Sequence, residues 1–518
     1  MSHGEARDVT WRSNLKLKLL ASYFGQTYVA LVGVIIAPLY VRYLGTDGYG
    51  LIGVFTLLQS WMALLDLGFS ATLARETARY GAGSVAPAEF RHLVNVLGRV
   101  FLASGLAFAA LGVVAAPWLS RHWLKTGGLD LREVTLALAV MAVTVAIRWR
   151  TEPFRSILVG LERLVWLNAF NSIVATFRFV GAVAVLIFVQ RSIAAFFIYQ
   201  LLIAVIEWAV IVFEAQRIMP GDKLPEAERK RMWPTLRPLF RFSLGVAFSS
   251  AIWLFISQFD KVLLSTLLPL KTYGVFALAT LAAGGVSLLS GPVSQVVLPR
   301  LTALNAKAED EALRRIYRQA TAFITALVAP ASLILALFGG EILWVWTGDR
   351  TLAAQAAPIL RWYALGNGLL ALTAFSYYLQ YAHGDLRLHV RGNAVFALVL
   401  TPAVVFAALR YGGVGTGIVW FAANLAYLFG WTFFVHGRFA PGLHWRWLGR
   451  DIALVALPAA AILTAVRLGA LPWYENRVMN LIVLMLAGGL ALAASAALVP
   501  GVPANALALA RRLRRTAL

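Results

Sequence analysis

The sequence contains no cysteine. Disulfide frameworks, thiolate nucleophiles and cysteine-based metal sites are therefore excluded. Charge is scarce as well: 14% of the 518 residues are Asp, Glu, Lys or Arg, against roughly 25% in an ordinary soluble domain. Acid is scarcer than base, with 24 Asp and Glu against 46 Lys and Arg, a formal net charge of +22. Several chemical signatures are missing too. There is no Walker-type lysine loop, which argues against direct ATP hydrolysis, and no His-Glu-x-x-His pattern or cluster of metal ligands. His383 and His389 merely straddle a short loop. Neither the carboxylate or Ser–Lys site of an intramembrane protease nor the soluble nucleotide-sugar domain of a glycosyltransferase is evident. No catalysis and no cofactor are expected.

What the sequence has in abundance is hydrocarbon. Sixty per cent of its residues are hydrophobic, more than a water-soluble chain of this size could hide in its cores. They form blocks of roughly 20 residues or more, each enough to cross about 30 Å of hydrocarbon at 1.5 Å per residue. Such blocks lie at 19–41, 101–118, 165–189, 193–213, 320–338 and 393–409. The polar start, 1–14, leads into an apolar block broken by Pro38, with no small-residue cleavage motif after it, and reads as a retained first helix. The expected fold class is an all-α polytopic membrane protein of about fourteen helices. They are placed at 19–42, 49–74, 93–117, 132–154, 165–189, 194–216, 240–267, 273–299, 317–339, 357–381, 391–410, 415–436, 452–469 and 478–499. No stretch between them is long enough for a separate globular domain.

The basic excess would suit nucleic acid, but its distribution suits a membrane. With the N-terminus inside, most Lys and Arg fall in cytoplasmic segments, and the opposite orientation reverses the ratio. The inner set includes Arg229, Lys230 and Arg231, then Arg300, Lys307, Arg314 and Arg315, and the tail Arg511, Arg512, Arg514 and Arg515. A multi-pass protein of the bacterial inner membrane with both termini cytoplasmic is expected. Anionic membrane lipids, not nucleic acid, are the partners of those loops. Tryptophans fit the same frame: Trp118, Trp123, Trp344, Trp346 and Trp473 fall at expected outer ends, and Trp11, Trp233, Trp445 and Trp447 at inner ends, where an indole keeps one edge wet.

A repeat divides the chain. The first hairpin runs from Leu19 through Tyr49-Gly50 to Arg75, and a second from Phe242 through Tyr273-Gly274 to Arg300. The Tyr-Gly pair recurs after 224 positions and the closing arginine after 225. An even number of helices per half relates the halves by an axis along the membrane normal. Between them lies a polar stretch with Lys223, Pro225, Glu226, Glu228 and Pro234, the composition of a linker. The expected organisation is an N-terminal lobe over 1–216, a cytoplasmic linker over 217–239, a C-terminal lobe over 240–438, and two extra helices with a basic tail over 439–518. Two pseudo-symmetric six-helix lobes around a central cavity form an architecture for alternating access.

Tyr43-Leu44-Gly45, Tyr49-Gly50, Asp66-Leu67-Gly68 and Arg75-Glu76 follow one another in the opening run 15–80. With these motifs the run resembles the polysaccharide-export and Wzx-type lipid-linked oligosaccharide flippases of the multidrug/oligosaccharidyl-lipid/polysaccharide (MOP) exporter superfamily. Gly160-Leu161-Glu162-Arg163 is similar to the loop before the fifth helix, and Asp260-Lys261, Tyr273-Gly274, Gly291-Pro292 and Pro299 to the start of the second lobe. Each motif is weak alone; their order and spacing are specific, up to about Asn305. The resemblance implies a V-shaped, two-lobed transporter. Its cargo would be an undecaprenyl-diphosphate-linked oligosaccharide for O-antigen, capsule or exopolysaccharide assembly, with polysaccharide polymerase and chain-length proteins as further partners. The last two helices resemble the pair that borders a lipid groove in the lipid II flippases. A multidrug-type exporter of the same superfamily and a membrane polysaccharide polymerase or ligase are the alternatives. The first calls for an acidic or neutral cavity, the second for a large external loop, whereas 118–131 and 340–356 are short.

If the resemblance holds, polar groups must line a path for the headgroup. A charge at mid-bilayer costs about 2.5–3.5 kcal/mol on insertion scales and so faces a cavity or a partner. Arg178 lies near the middle of the fifth helix, too deep to snorkel easily. It would hold the diphosphate through its guanidinium fork, or else pair with Glu207 in the sixth helix. Arg148, Glu152 and Arg155 share one helix face by their i, i+4, i+7 spacing; they read either as a basic lining or as anchors at the cytoplasmic interface. Lys261 would attract the anion and Asp260 carry a coupling proton or sodium ion, or the two would serve each other. Asp66 has the same two readings, coupling or structural, while Arg99 and Arg361 are nearer helix ends. Gln26, Gln59, Gln258, Asn168 and Asn171 would bond sugar hydroxyls or tie helices together.

Overall fold

In the computed structural model the described residues are 3–62, 66, 68–219, 251–470 and 476–500, without the side chains of 3–23 and 470. Among them the chain is helical throughout, apart from turns and an isolated bridge between Lys125 and Pro269. The expected linker is described only up to residue 219, and the basic tail, Trp233 and Trp473 lie outside the described residues.

Helix α1 (His3–Met62) carries the first two expected spans, joined at Gly45, whose φ of 73° and ψ of 174° are outside the helical region. The second span was expected to continue to residue 74. It is described to Met62 and again as α2 (Phe69–Gly81), with 63–65 and 67 outside the described residues. Gly68, at φ 74°, supplies a left-handed conformation that a side chain would disfavour. The Asp66 carboxylate accepts from the Ser70 N–H at 3.0 Å and the Ser70 hydroxyl at 2.6 Å, so it caps the restart. Next come α3 (Pro87–His122), α4 (Leu131–Gly160), α5 (Leu164–Phe188) and α6 (Ile193–Ile218).

The described part of the seventh span, 251–267, is α7. The eighth is two helices, α8 (Leu270–Leu288) and α9 (Gly291–Ala306), because Pro292 has no N–H to continue the ladder and suits a first turn. Then follow α10 (Asp310–Leu337), a short α11 (Gly339–Thr347) within the expected 340–356 loop, and α12 (Arg350–Ala382). Helix α13 (Arg387–Phe439) holds two spans joined at Gly412, with α14 (His444–Gly469) and α15 (Arg477–Ala497) last. In their described parts the fourteen expected spans fall mainly on helix, with breaks at Gly68 and before Gly291, and the chain is a multi-pass, all-α membrane protein. Its surface agrees: Leu106, Leu111, Val114, Phe188, Leu398, Phe406, Leu457 and Leu486 are exposed apolar side chains, as lipid contact requires.

The chain divides into two compact units, Met1–Gly274 and Val275–Leu518. In the first, α3 and α4 approach closely because Gly112 faces Ala142, the small-residue packing that helices in lipid rely on. Trp149 stacks on Phe101 at 4.6 Å and donates to the Ser104 hydroxyl at 2.9 Å. In the second, Gly366 and Gly368 of α12 admit Trp420 and Ser332. Helix α14 is fastened to α10 by a two-pronged pair, Arg318 to Asp451 at 2.7 and 2.9 Å. Trp447, expected at a wet interface, is fully buried there and donates to Thr321 at 2.9 Å. Beside it His436 links the Tyr317 hydroxyl, at 2.8 Å, to His444 Nδ1, at 3.1 Å.

The sequence repeat meets itself inside the first unit. A methyl group placed on Gly50 would collide with the carbonyl of Leu270, and one on Gly274 with the carbonyl of Thr46. Positions 46 and 50 are the 224-residue equivalents of 270 and 274, so the two contacts are one contact made twice, as a two-fold axis demands. Around it the Lys125 ammonium donates to the Leu267 carbonyl at 2.7 Å, the Leu270 N–H to the Lys125 carbonyl at 3.0 Å, and Trp123 to Ser265 at 3.2 Å. Overpacking a filled contact costs about 1–3 kcal/mol. Gly50→Val and Gly274→Val are each expected to lower the melting temperature of the detergent-solubilised protein by a similar step, and the double variant by less than their sum. Unchanged melting in either variant would show that the backbones are not in contact.

Candidate functional site

Charged side chains converge where α1, α4, α5 and α6 pack. Helix α4 presents Arg148, Glu152 and Arg155 along one face, and α6 presents Gln200 and Glu207 two turns apart. Arg155 is the most heavily bonded: one terminal nitrogen donates to Glu207 Oε1 at 2.6 Å, the other to Asn171 Oδ1 at 2.7 Å, and its Nε lies 3.6 Å from Glu152 Oε1. Glu207 therefore pairs with Arg155 and not with Arg178. Among the described residues Arg148 has only neutral acceptors, Gln59 Oε1 at 2.6 Å and Gln200 Oε1 at 3.2 Å, with Phe55 5.4 Å from the guanidinium.

Arg178 sits on a local widening of α5, a π-helical turn over Phe177–Gly181. Such turns loosen the backbone ladder and often occur at functional sites. Three side chains satisfy its carbonyls: Tyr199 donates to Phe177 O at 2.9 Å, Gln200 to Arg178 O at 3.0 Å, and Tyr40 to Phe179 O at 2.9 Å. Gly181 leaves the space that the Tyr199 hydroxyl occupies. The Arg178 guanidinium lies 4.6 Å from the Phe179 ring and has no hydrogen-bond acceptor or ion pair among the described residues, its Nε being buried and unpaired.

A cavity of about 340 Å³ opens beside it, lined by Gln26, Arg155, Asn168, Asn171, Arg178 and Glu207 with small or apolar neighbours from α1 and α5. Three arginines against two glutamates make this cluster cationic, and two of the three, Arg148 and Arg178, have no carboxylate partner among the described residues. Chemically it can accept an anion with hydrogen-bonding groups around it, as amides from Gln26 and Asn171 flank the guanidinium forks. Of the residues singled out from the sequence, Arg148, Arg155, Arg178, Gln26, Asn171, Glu152 and Glu207 are brought together. Lys261, Asp260 and Gln258 on α7 do not line this cavity. Lys261 donates to its own helix at Ser257 O, 2.6 Å, and lies 3.7 Å from Asp260. Asp66 caps α2, as described. Gln200 and the tyrosines of the π-turn escaped sequence reasoning; the one available signal was that Gln200 lies seven residues before Glu207, on the same helix face.

Helical packing of this kind turns polar groups into a cavity among membrane-spanning helices. The chain belongs to the polysaccharide biosynthesis protein family, whose model matches residues 17–305. No curated protein matches it by sequence. Among solved structures it is similar to the lipid II flippase MurJ in an inward closed conformation, with a TM-score of 0.72 and 14% identity, covering 92% of this chain and 98% of that one. It is also similar to an inward-facing multidrug-resistance MATE transporter of the MOP superfamily, with a TM-score of 0.61 and 16% identity over 79% and 94%. A MOP transporter from Pyrococcus furiosus, described by the reverse polarity of its binding pocket, gives 0.55 and 14% over 82% and 95%. These likenesses establish the fold.

Gln200 joins Arg148 to the Arg178 carbonyl, so Gln200→Leu leaves both short of a partner. Each buried polar group so orphaned costs about 1–3 kcal/mol, whereas Tyr199→Phe, which removes one half-exposed bond, costs about 1 kcal/mol or less. Chemical denaturation in detergent micelles is expected to rank them in that order. A Gln200→Leu protein as stable as Tyr199→Phe would show that the bridge does not hold the site.

Proposed function

We propose that this chain is a flippase of the bacterial inner membrane, both termini cytoplasmic, that carries an isoprenoid-diphosphate-linked oligosaccharide to the outer leaflet for O-antigen, capsule or exopolysaccharide assembly. The observation that supports the reading best is the pair of intramembrane guanidiniums, Arg178 at the wall of the cavity and Arg148 joined to its carbonyl through Gln200, neither with a carboxylate partner among the described residues. An uncompensated cation in low dielectric is costly. A site that keeps two of them is suited to a mobile anion. A diphosphate diester brings two negative charges, and each guanidinium can offer a fork of donors to phosphate oxygens. The sugar would meet Gln26, Asn168 and Asn171, and the isoprenoid tail would stay in lipid. Lys261, outside this cavity, remains a candidate for the same anion at another stage of alternating access, with Asp260 beside it.

Membership of a polysaccharide biosynthesis family and likeness to a lipid II flippase support this substrate class. Likeness to multidrug transporters keeps an exporter as the rival. The charge of the cluster favours the flippase, since an organic cation would be repelled by Arg148, Arg155 and Arg178. The proposed role is transport without catalysis.

The test is complementation of a flippase-null strain that makes a matched lipid-linked substrate. Wild type is expected to restore surface polysaccharide. Arg178→Ala is expected to lose at least tenfold of that activity, the equivalent of about 1.4 kcal/mol in headgroup binding, and to accumulate the intermediate on the cytoplasmic side. Full rescue by Arg178→Ala at wild-type protein levels would remove the headgroup assignment, and failure of wild type would favour the exporter.

A further inference from the structure

Gln59, in the second span of α1, is an amide at a place where hydrogen bonding alone would favour an acid. Its Oε1 accepts from the Arg148 guanidinium at 2.6 Å. A guanidinium only donates, so the amide is fixed with its oxygen towards Arg148. Its nitrogen reaches only the Phe55 carbonyl of its own helix among the described residues, at 3.5 Å, beyond the usual range for such a bond. Gln200, the other ligand of Arg148, is different. It accepts from Arg148 at 3.2 Å and donates to the Arg178 carbonyl at 3.0 Å, so its place requires an amide. The place of Gln59 does not. A glutamate of the same length would keep the bond to Arg148 and strengthen it by charge.

The neighbouring acids leave Arg148 uncancelled, because each is engaged elsewhere. Glu207 is bonded to Arg155 at 2.6 Å, Glu152 lies 3.6 Å from the same guanidinium, and Asp66 accepts from the Ser70 N–H and hydroxyl. Arg148 does not line the cavity, but Arg178, which does, is one of its charged neighbours. In low dielectric the fields of two such charges reach the cavity with little screening.

Resting on the diphosphate reading above, we propose that Gln59 is a positioning residue that sets the polarity of the site: a neutral ligand of Arg148 that holds the guanidinium and leaves its charge to act on the cargo. Gln59 does not touch the cargo. It works through Arg148, whose field adds to that of Arg178 in drawing an anion into the cavity. The same field repels an organic cation, so the residue contributes to discrimination as well as to affinity. A glutamate there would give a firmer protein and a poorer anion site. Stability and selectivity thus pull this position in opposite directions, which a residue that merely ties helices together would not show.

The experiment pairs two measurements on the full-length protein in detergent: thermal melting without ligand, and calorimetric titration with a short-chain isoprenyl diphosphate sugar. Gln59→Glu is expected to melt at or above the wild-type temperature and to bind the probe at least about tenfold more weakly. Gln59→Met, neutral but without the oxygen, is expected to melt lower and to bind within about threefold of wild type. Arg148→Gln removes the same charge from the other side of the bond and is expected to weaken binding as much as Gln59→Glu does. Wild-type affinity in Gln59→Glu or in Arg148→Gln, with Arg178→Ala still losing the probe, overturns the inference and leaves the diphosphate site standing. No binding by wild type, or wild-type affinity in Arg178→Ala, overturns the site itself and this inference with it.

Discussion

A guanidinium placed in hydrocarbon must find donors' partners, counter-charge or water, and much of the first unit is arranged around three that have been placed there. Arg155 is given carboxylates, Arg148 is given glutamine carbonyls, and Arg178 is given an aromatic face and a cavity. The three solutions leave different residual charge. A carboxylate cancels a guanidinium, whereas a glutamine solvates it without neutralising it. Arg148 therefore keeps its charge although its terminal nitrogens are hydrogen-bonded, and Arg178 keeps its charge with no acceptor among the described residues. That distinction between satisfying a cation and neutralising it separates a structural ion-pair network from a site able to receive an anion.

The backbone around Arg178 follows from the same requirement. Widening α5 over Phe177–Gly181 weakens the bonds that the hydrocarbon would otherwise make mandatory. Tyr40, Tyr199 and Gln200 donate to the carbonyls of that turn, so the irregularity is held in place by neighbouring helices and is not left as slack. Elsewhere close helix approach depends on removing side chains. The reciprocal contact of Gly50 with Leu270 and Gly274 with Thr46 turns a sequence repeat into a physical joint of backbone on backbone.

The spans were legible from the sequence because a run of roughly twenty apolar residues has few other fates. Where the reading went astray, local chemistry intervened. Gly68 with the Asp66 carboxylate begins a helix inside an expected span, Pro292 divides another, and Trp447 is buried against α10 where composition suggested an interface. The site was legible in outline because charge inside a span is rare enough to stand out, and Arg148, Arg155, Arg178 and Glu207 do come together. Which cation Glu207 would choose was not legible. That depends on the rotation of α6 by a fraction of a turn, and linear spacing does not fix the angle between neighbouring helices. Lys261 shows the same gap: an intramembrane lysine can satisfy itself on its own helix, through Ser257 and Asp260, and spacing alone does not distinguish that from a cavity role.

The central claim is that the uncompensated arginines select an anionic lipid headgroup over an organic cation. Its most direct test is transport by the purified protein in sealed vesicles, comparing a fluorescent isoprenyl diphosphate sugar with a cationic dye. The account predicts movement of the diphosphate lipid by wild type, its loss in Arg178→Ala, and no movement of the dye by either. Dye transport by wild type with the diphosphate lipid left in place would contradict it.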